Sequence, residues 1–279
     1  MLSASTSRDG ALNREDEEQE VAAAFFELFE RDTWQLPRGQ EGLHSRWLTR
    51  IDSIGGSLII AFSSTAAHFD FESSLTKLQC SCADTDSFSG LLVSDSDLAW
   101  FLRVPTGIDE EDAFDPVISL VWQEIESLNH KPSRVLTIGY CRGGYAAIRV
   151  GAALKADGVL AFAPQCFLLP EKRRELDLPA AYYDGCLASL QRVGAPLESL
   201  AAVLSRSDIG GGRIEIHVGA DSFGDVAEVE ALMRDEAVTA RINVGVHVHA
   251  GCGHEVPLCL KQAGTLAPLL LRWASSAYH

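Results

Sequence analysis

Residues 135–146 read Val135-Leu136-Thr137-Ile138-Gly139-Tyr140-Cys141-Arg142-Gly143-Gly144-Tyr145-Ala146: an apolar run of β-formers, a glycine turn carrying one cysteine, then the start of a helical pattern. A reactive side chain at the apex of a tight strand-to-helix turn needs small residues around it. Glycines at 139, 143 and 144 let strand and helix approach without side-chain collision. The helix start also aims unpaired backbone N–H groups and the positive end of its dipole at Cys141, which favours a thiolate and any oxyanion formed beside it. Cys141 is therefore the leading candidate nucleophile.

Working outward, short apolar runs recur at 57–62, 98–104, 135–138, 159–163, 214–218 and 244–248, separated by turn signals. Runs apolar on both faces belong to strands covered on both sides, as in a parallel sheet. Helical spacing lies between them at 116–128, 144–155 and 227–233, with an earlier amphipathic stripe through Val21, Phe25, Leu28 and Phe29 after the acidic run Glu15–Glu18. Alternation of strand and helix predicts an α/β fold with a mostly parallel central sheet flanked by helices. The chain of 279 residues suits one large domain over 14–279, with 1–13 as a tail. Residues 166–210 exceed what a crossover needs. They read either as a small lid insertion beside the glycine turn or as a decorated crossover with a solvated charge run.

The net charge of −16 argues against nucleic acid and against anionic membrane surfaces, since both need a basic face. No apolar run reaches the roughly 20 residues that span a bilayer. Seven cysteines at 80, 82, 141, 166, 186, 252 and 259 form an odd set without disulfide-framework spacing, so the expected setting is reducing and cytoplasmic.

A thiol with a pKa of ~8.5 is mostly protonated at neutral pH, so a catalytic cysteine needs an imidazole, and the imidazole an orienting acid. His254 follows the last predicted strand in a glycine-rich loop, whereas His247 and His249 alternate with Val246 and Val248 and face packing layers. The acid is expected at the tip of the preceding strand: Asp221 is the first choice and Asp225, one turn on, the alternative. Asp221 also suits a helix N-cap. One oxyanion donor is the Arg142 backbone N–H, and the second is Ser63 or Ser64, between which spacing does not choose. The side chain of Arg142 reads as a solvent-facing arginine at a helix start.

His247, His249, Cys252 and His254 form a dense cluster, but zinc sites usually draw two pairs from separate elements and no second Cys or His pair stands nearby in the chain. No metal is expected. Cys80-Ser81-Cys82 is too closely spaced for a redox pair, and no phosphate-binding glycine loop is present.

The turn Gly139-Tyr140-Cys141-Arg142-Gly143-Gly144 resembles the elbow of dienelactone hydrolases, α/β-hydrolases with a Gly-x-Cys-x-Gly-Gly nucleophile turn. It is also similar to the lipase-like box of polyhydroxyalkanoate synthases. Nucleophile, acid and base follow in the α/β-hydrolase order. The resemblance implies an α/β-hydrolase fold and a Cys141–His254–Asp221 triad acting on an ester, lactone or thioester without a cofactor. Its partner would be a small acyl substrate. Cysteine acyltransfer is the nearest alternative, and a non-catalytic binding protein on the same fold the more distant one.

Overall fold

A computed structural model describes residues 42–50, 56–63, 71–81, 88–96, 101–102, 115–178, 197–207 and 212–274. In chain order the elements are β1 (Leu43–Thr49), β2 (Ser57–Phe62), α1 (Phe71–Ser81), β3 (Phe88–Asp95), α2 (Pro116–Glu126), β4 (Arg134–Tyr140), α3 (Arg142–Leu154) and β5 (Gly158–Phe162). There follow α4 (Pro170–Glu175), α5 (Leu200–Arg206), β6 (Arg213–Gly219), α6 (Phe223–Met233), α7 (Glu236–Thr239), β7 (Asn243–His249), α8 (Val256–Gln262) and α9 (Leu266–Ala274). The tail 1–13 and the early helical stripe lie outside the described residues.

The strands form one seven-stranded sheet in the order β1-β3-β2-β4-β5-β6-β7, parallel throughout except that β1 runs antiparallel to β3. Strand periodicity divides the core in two. Leu58, Ile60 and Phe62 of β2 face one side, packed with Val117 of α2, Tyr145 and Ile148 of α3 and Leu200 and Leu204 of α5. Ile59 and Ala61 face the other, with Phe71 and Leu75 of α1, Leu260 of α8 and Leu269 and Trp273 of α9. All five β2 side chains are fully buried, and each of the larger ones contributes about 1.5–3 kcal/mol by leaving water. Local chemistry agrees with this packing: Asp115 caps α2 by accepting from the Val117 and Ile118 N–H groups, and Pro116 takes the first helical turn.

Five of the six strand expectations meet a strand. Of the expected strand at 98–104 only Phe101 and Leu102 are among the described residues, and neither is in a strand. Phe101 takes a left-handed turn conformation, φ 59°, with its N–H donated to buried Asp95. The strand in this part of the chain is β3, whose apolar run Leu91-Leu92-Val93 is masked in sequence by flanking Ser89, Gly90 and Ser94 although every residue is buried. β1, with four polar residues in seven, is a further strand that the apolar-run pattern does not pick out.

The ends of the 166–210 excursion belong to the core. Cys166, Phe167 and Leu168 are buried, and Glu228 of α6 accepts from the Cys166 and Phe167 N–H groups at 2.7 and 3.1 Å. Arg173 pairs with the same carboxylate and donates to the Phe167 carbonyl. Residues 179–196, where a lid would have to lie, are outside the described residues.

Candidate active site

β4 ends at Tyr140 and α3 begins at Arg142, so the whole reversal falls on Cys141. Its backbone sits at φ 55°, ψ −116°, a region that costs a non-glycine residue about 1–3 kcal/mol and that surrounding contacts must enforce. Two hydrogen bonds do so: the Cys141 N–H donates to the Phe162 carbonyl of β5, and its own carbonyl accepts from Tyr145 N–H. The glycines allow the approach. A Cβ on Gly139 would fall onto the Gly143 carbonyl, and one on Gly143 onto the Phe62 carbonyl of β2. Cys141 is 1% exposed.

His254 stands in the loop between β7 and α8 and meets a carboxylate, which belongs to Asp225. The His254 Nδ1 lies 2.8 and 3.0 Å from the two Asp225 oxygens. This corrects the first choice of acid. Asp221 is an exposed turn residue whose N–H donates to the Cys252 carbonyl, so it secures the loop backbone. Asp225, in the first turn of α6, is carried inward and is 8% exposed. Burial works to lower the His254 pKa, but hydrogen bonding to Asp225 and to Cys141, with the charges of both, pushes it up to about 10. The ring also packs on buried Tyr140, with centroids 5.2 Å apart. Cys141, His254 and Asp225 therefore form one continuous interacting set.

The oxyanion expectations divide. Arg142 is the first residue of α3, where a backbone N–H lies outside the helix's own ladder. Its side chain is buried at 6% exposure, contrary to the solvent-facing reading. Ser63 abuts the elbow through its carbonyl, near Gly143, but its N–H is committed to the Val93 carbonyl at 2.9 Å, which leaves only the hydroxyl as a donor. Ser64 lies outside the described residues. Among the described residues a cavity of about 270 Å³ lies on the α3–α5 side, lined by Leu102, Arg149, Leu169, Leu197, Glu198, Ser199 and Ala202. Cys141 is not part of its wall.

Two arrangements here were not anticipated. Cys252 and Cys259 are joined in a disulfide whose short loop contains His254, whereas the cysteines read as an unpaired set. The isolated His cluster on β7 also has a second side. Strand register places His217 opposite His247 and Glu215 opposite Gly245, so β6 brings a carboxylate and an imidazole to the histidines of β7. No signal in the linear sequence fixes that register.

No family model matches the chain, and no curated protein matches it in sequence. Solved structures do match in shape. The capsule O-acetyltransferase of Neisseria meningitidis serogroup A aligns with TM-score 0.53 at 15% identity, covering 82% of this chain and 93% of that one. Acetyl xylan esterase 1 from Thermoanaerobacterium sp. aligns with TM-score 0.52 at 14% identity, covering 91% and 94%. A hormone-sensitive lipase from a metagenome library aligns with TM-score 0.53 at 17% identity, covering 91% and 89%. At these identities the likeness establishes the fold, and with the sheet order above it assigns the chain to the α/β-hydrolase fold.

Proposed function

We propose that the protein is an acyl hydrolase acting on an ester, lactone or thioester through a covalent intermediate on Cys141. The observation that carries this reading is the two-oxygen contact of Asp225 with His254 Nδ1, which leaves the rest of that ring to serve Cys141. With its pKa near 10, His254 holds a proton at neutral pH, and Cys141 acts as a thiolate beside an imidazolium. The sulfur attacks the acyl carbon, and the carbonyl electron pair moves onto oxygen. That oxyanion is met by the Arg142 N–H and a Ser63 or Ser64 donor. Collapse expels the alkoxide or thiolate, which takes the His254 proton. Neutral His254 then removes a proton from water as the water attacks the thioester, releasing the acid and restoring the ion pair. Asp225 stays ionised and orients the ring.

The near-complete burial of Cys141 favours acyl transfer as the second reading, because a sulfur shielded from bulk water leaves its acyl group to whichever acceptor the site admits. The O-acetyltransferase among the structural relatives is in keeping with it. Rates on p-nitrophenyl esters and acyl thioesters, with and without added alcohols, test both. Hydrolysis requires turnover that vanishes in Cys141→Ala without an acceptor, transfer requires acceptor dependence, and no turnover above Cys141→Ala under any condition refutes the proposal.

A further inference from the structure

The geometry points to a second site, a divalent metal site of zinc type at the β6–β7 edge, formed by Glu215, His217 and His247. One ligand atom from each lies within 4.8 Å of the others. Glu215 Oε2 is 3.7 Å from His217 Nε2 and 3.6 Å from His247 Nε2. These separations are too long for hydrogen bonds. They are close to the ~3.3 Å between neighbouring ligands of a tetrahedral ion bound at about 2.0–2.1 Å. Both Nε2 atoms are buried without a hydrogen-bond partner, and His217 is only 2% exposed. A buried imidazole nitrogen left unsatisfied beside a carboxylate costs stability unless something fills the gap.

The outer contacts suit ligation. His217 Nδ1 lies 2.8 Å from His249 Nε2, so donating that proton leaves the His217 Nε2 lone pair for a metal, as metal-bound histidines ordinarily do. The His217 ring stacks between those of His247 and His249, at centroid distances of 4.5 and 5.1 Å, which holds it in place. The other Glu215 oxygen, Oε1, faces Arg213 Nε at 3.5 Å, so the carboxylate is turned with Oε2 toward the imidazoles. Arg213 and Arg272 oppose a cation here, and Glu215 favours one. β7 is the edge strand and the His247 side chain is 38% exposed, which provides an entry path and room for a water as fourth ligand. Cross-strand pairing supplies the second element that the linear spacing lacked. A bound ion would also tie β7 to β6 at His247, seven residues before His254.

The test is titration of tag-free, metal-stripped full-length protein with Zn²⁺ against a chromophoric chelator, and with Co²⁺ for its ligand-field spectrum. The Cys141→Ala background removes the elbow thiolate, and so breaks up the thiolate–imidazole pair that would otherwise compete for the ion. The expected result is one Zn²⁺ per chain with a tetrahedral Co²⁺ spectrum. Affinity should fall about 10–100-fold in His249→Gln and further in His247→Gln. Both variants alter half-exposed edge residues, and circular dichroism verifies their fold. Binding that is absent, or equally tight in His247→Gln, overturns the proposal. Because the elbow cysteine is already removed, this outcome is separate from the fate of the acyl-transfer reading.

Discussion

At two places a histidine stands beside a carboxylate, and the two pairings behave in opposite ways. At the elbow, Asp225 touches His254 Nδ1 at 2.8 Å, and the pairing outweighs burial to lift the imidazole pKa to about 10. At the β6–β7 edge, Glu215 stays 3.6 Å from His247, whose pKa is lowered by burial first and then by His217. The functional groups, one carboxylate and one imidazole, are the same. A distance of less than an ångström, and the number of positive groups sharing the carboxylate, separate a ring that carries a proton from one that holds a lone pair.

The comparison breaks most completely at the sulfur. Cys141→Ala should cost about 10⁴-fold or more in kcat/KM on an activated ester, since little but binding and the oxyanion donors would remain. Next comes the choice of acid. Asp225→Asn should lower kcat by roughly 10³–10⁴-fold, as loss of the orienting carboxylate does in a triad, while Asp221→Asn should change it by less than about threefold. Equal losses in the two variants would remove the distinction drawn between them.

A subtler test is the pH dependence of stability, which should have opposite signs at the two places. Because the folded His254 pKa is raised, its contribution is complete below the ordinary value of 6.5 and is lost as pH rises through about 10. Because the folded His247 pKa is lowered, the edge loses stability as pH falls below 6.5, where the unfolded chain binds the extra proton. Histidine NMR titrations, with Asp225→Asn bringing the His254 value down and leaving His247 unmoved, would sharpen this contrast. The smallest effect concerns the loop that links the places: breaking Cys252–Cys259 closes off only a short loop of chain entropy, so Cys252→Ser with Cys259→Ser should cost about 2–3 kcal/mol at most by denaturant titration.

Legibility in the sequence followed the range of the forces. The elbow could be read because its constraints are local: Gly139, Cys141 and Gly143 lie within five residues of one another, and the steric demand on each is set by its neighbours. The central strands could be read because β2 and β5 are apolar on both faces. β1 and β3 were obscured because tertiary pairing, not composition, makes His44, Ser45 and Ser94 strand residues. The acid fell one turn from its expected place because a strand tip and a helix's first turn both offer a carboxylate, and only the path of the loop through Ser222 decides which turns inward. Glu215 and His217 went unmarked for a similar reason, since 30 residues separate His217 from His247 and only the register between β6 and β7 unites them.

Intact-protein and peptide mass spectrometry after brief exposure to p-nitrophenyl acetate tests the central claim most directly. The account predicts an acetyl group on Cys141 that forms in the wild type, forms far more slowly in His254→Ala and is absent in Cys141→Ala. Acetylation confined to other residues, or proceeding at the same rate without His254, would contradict it.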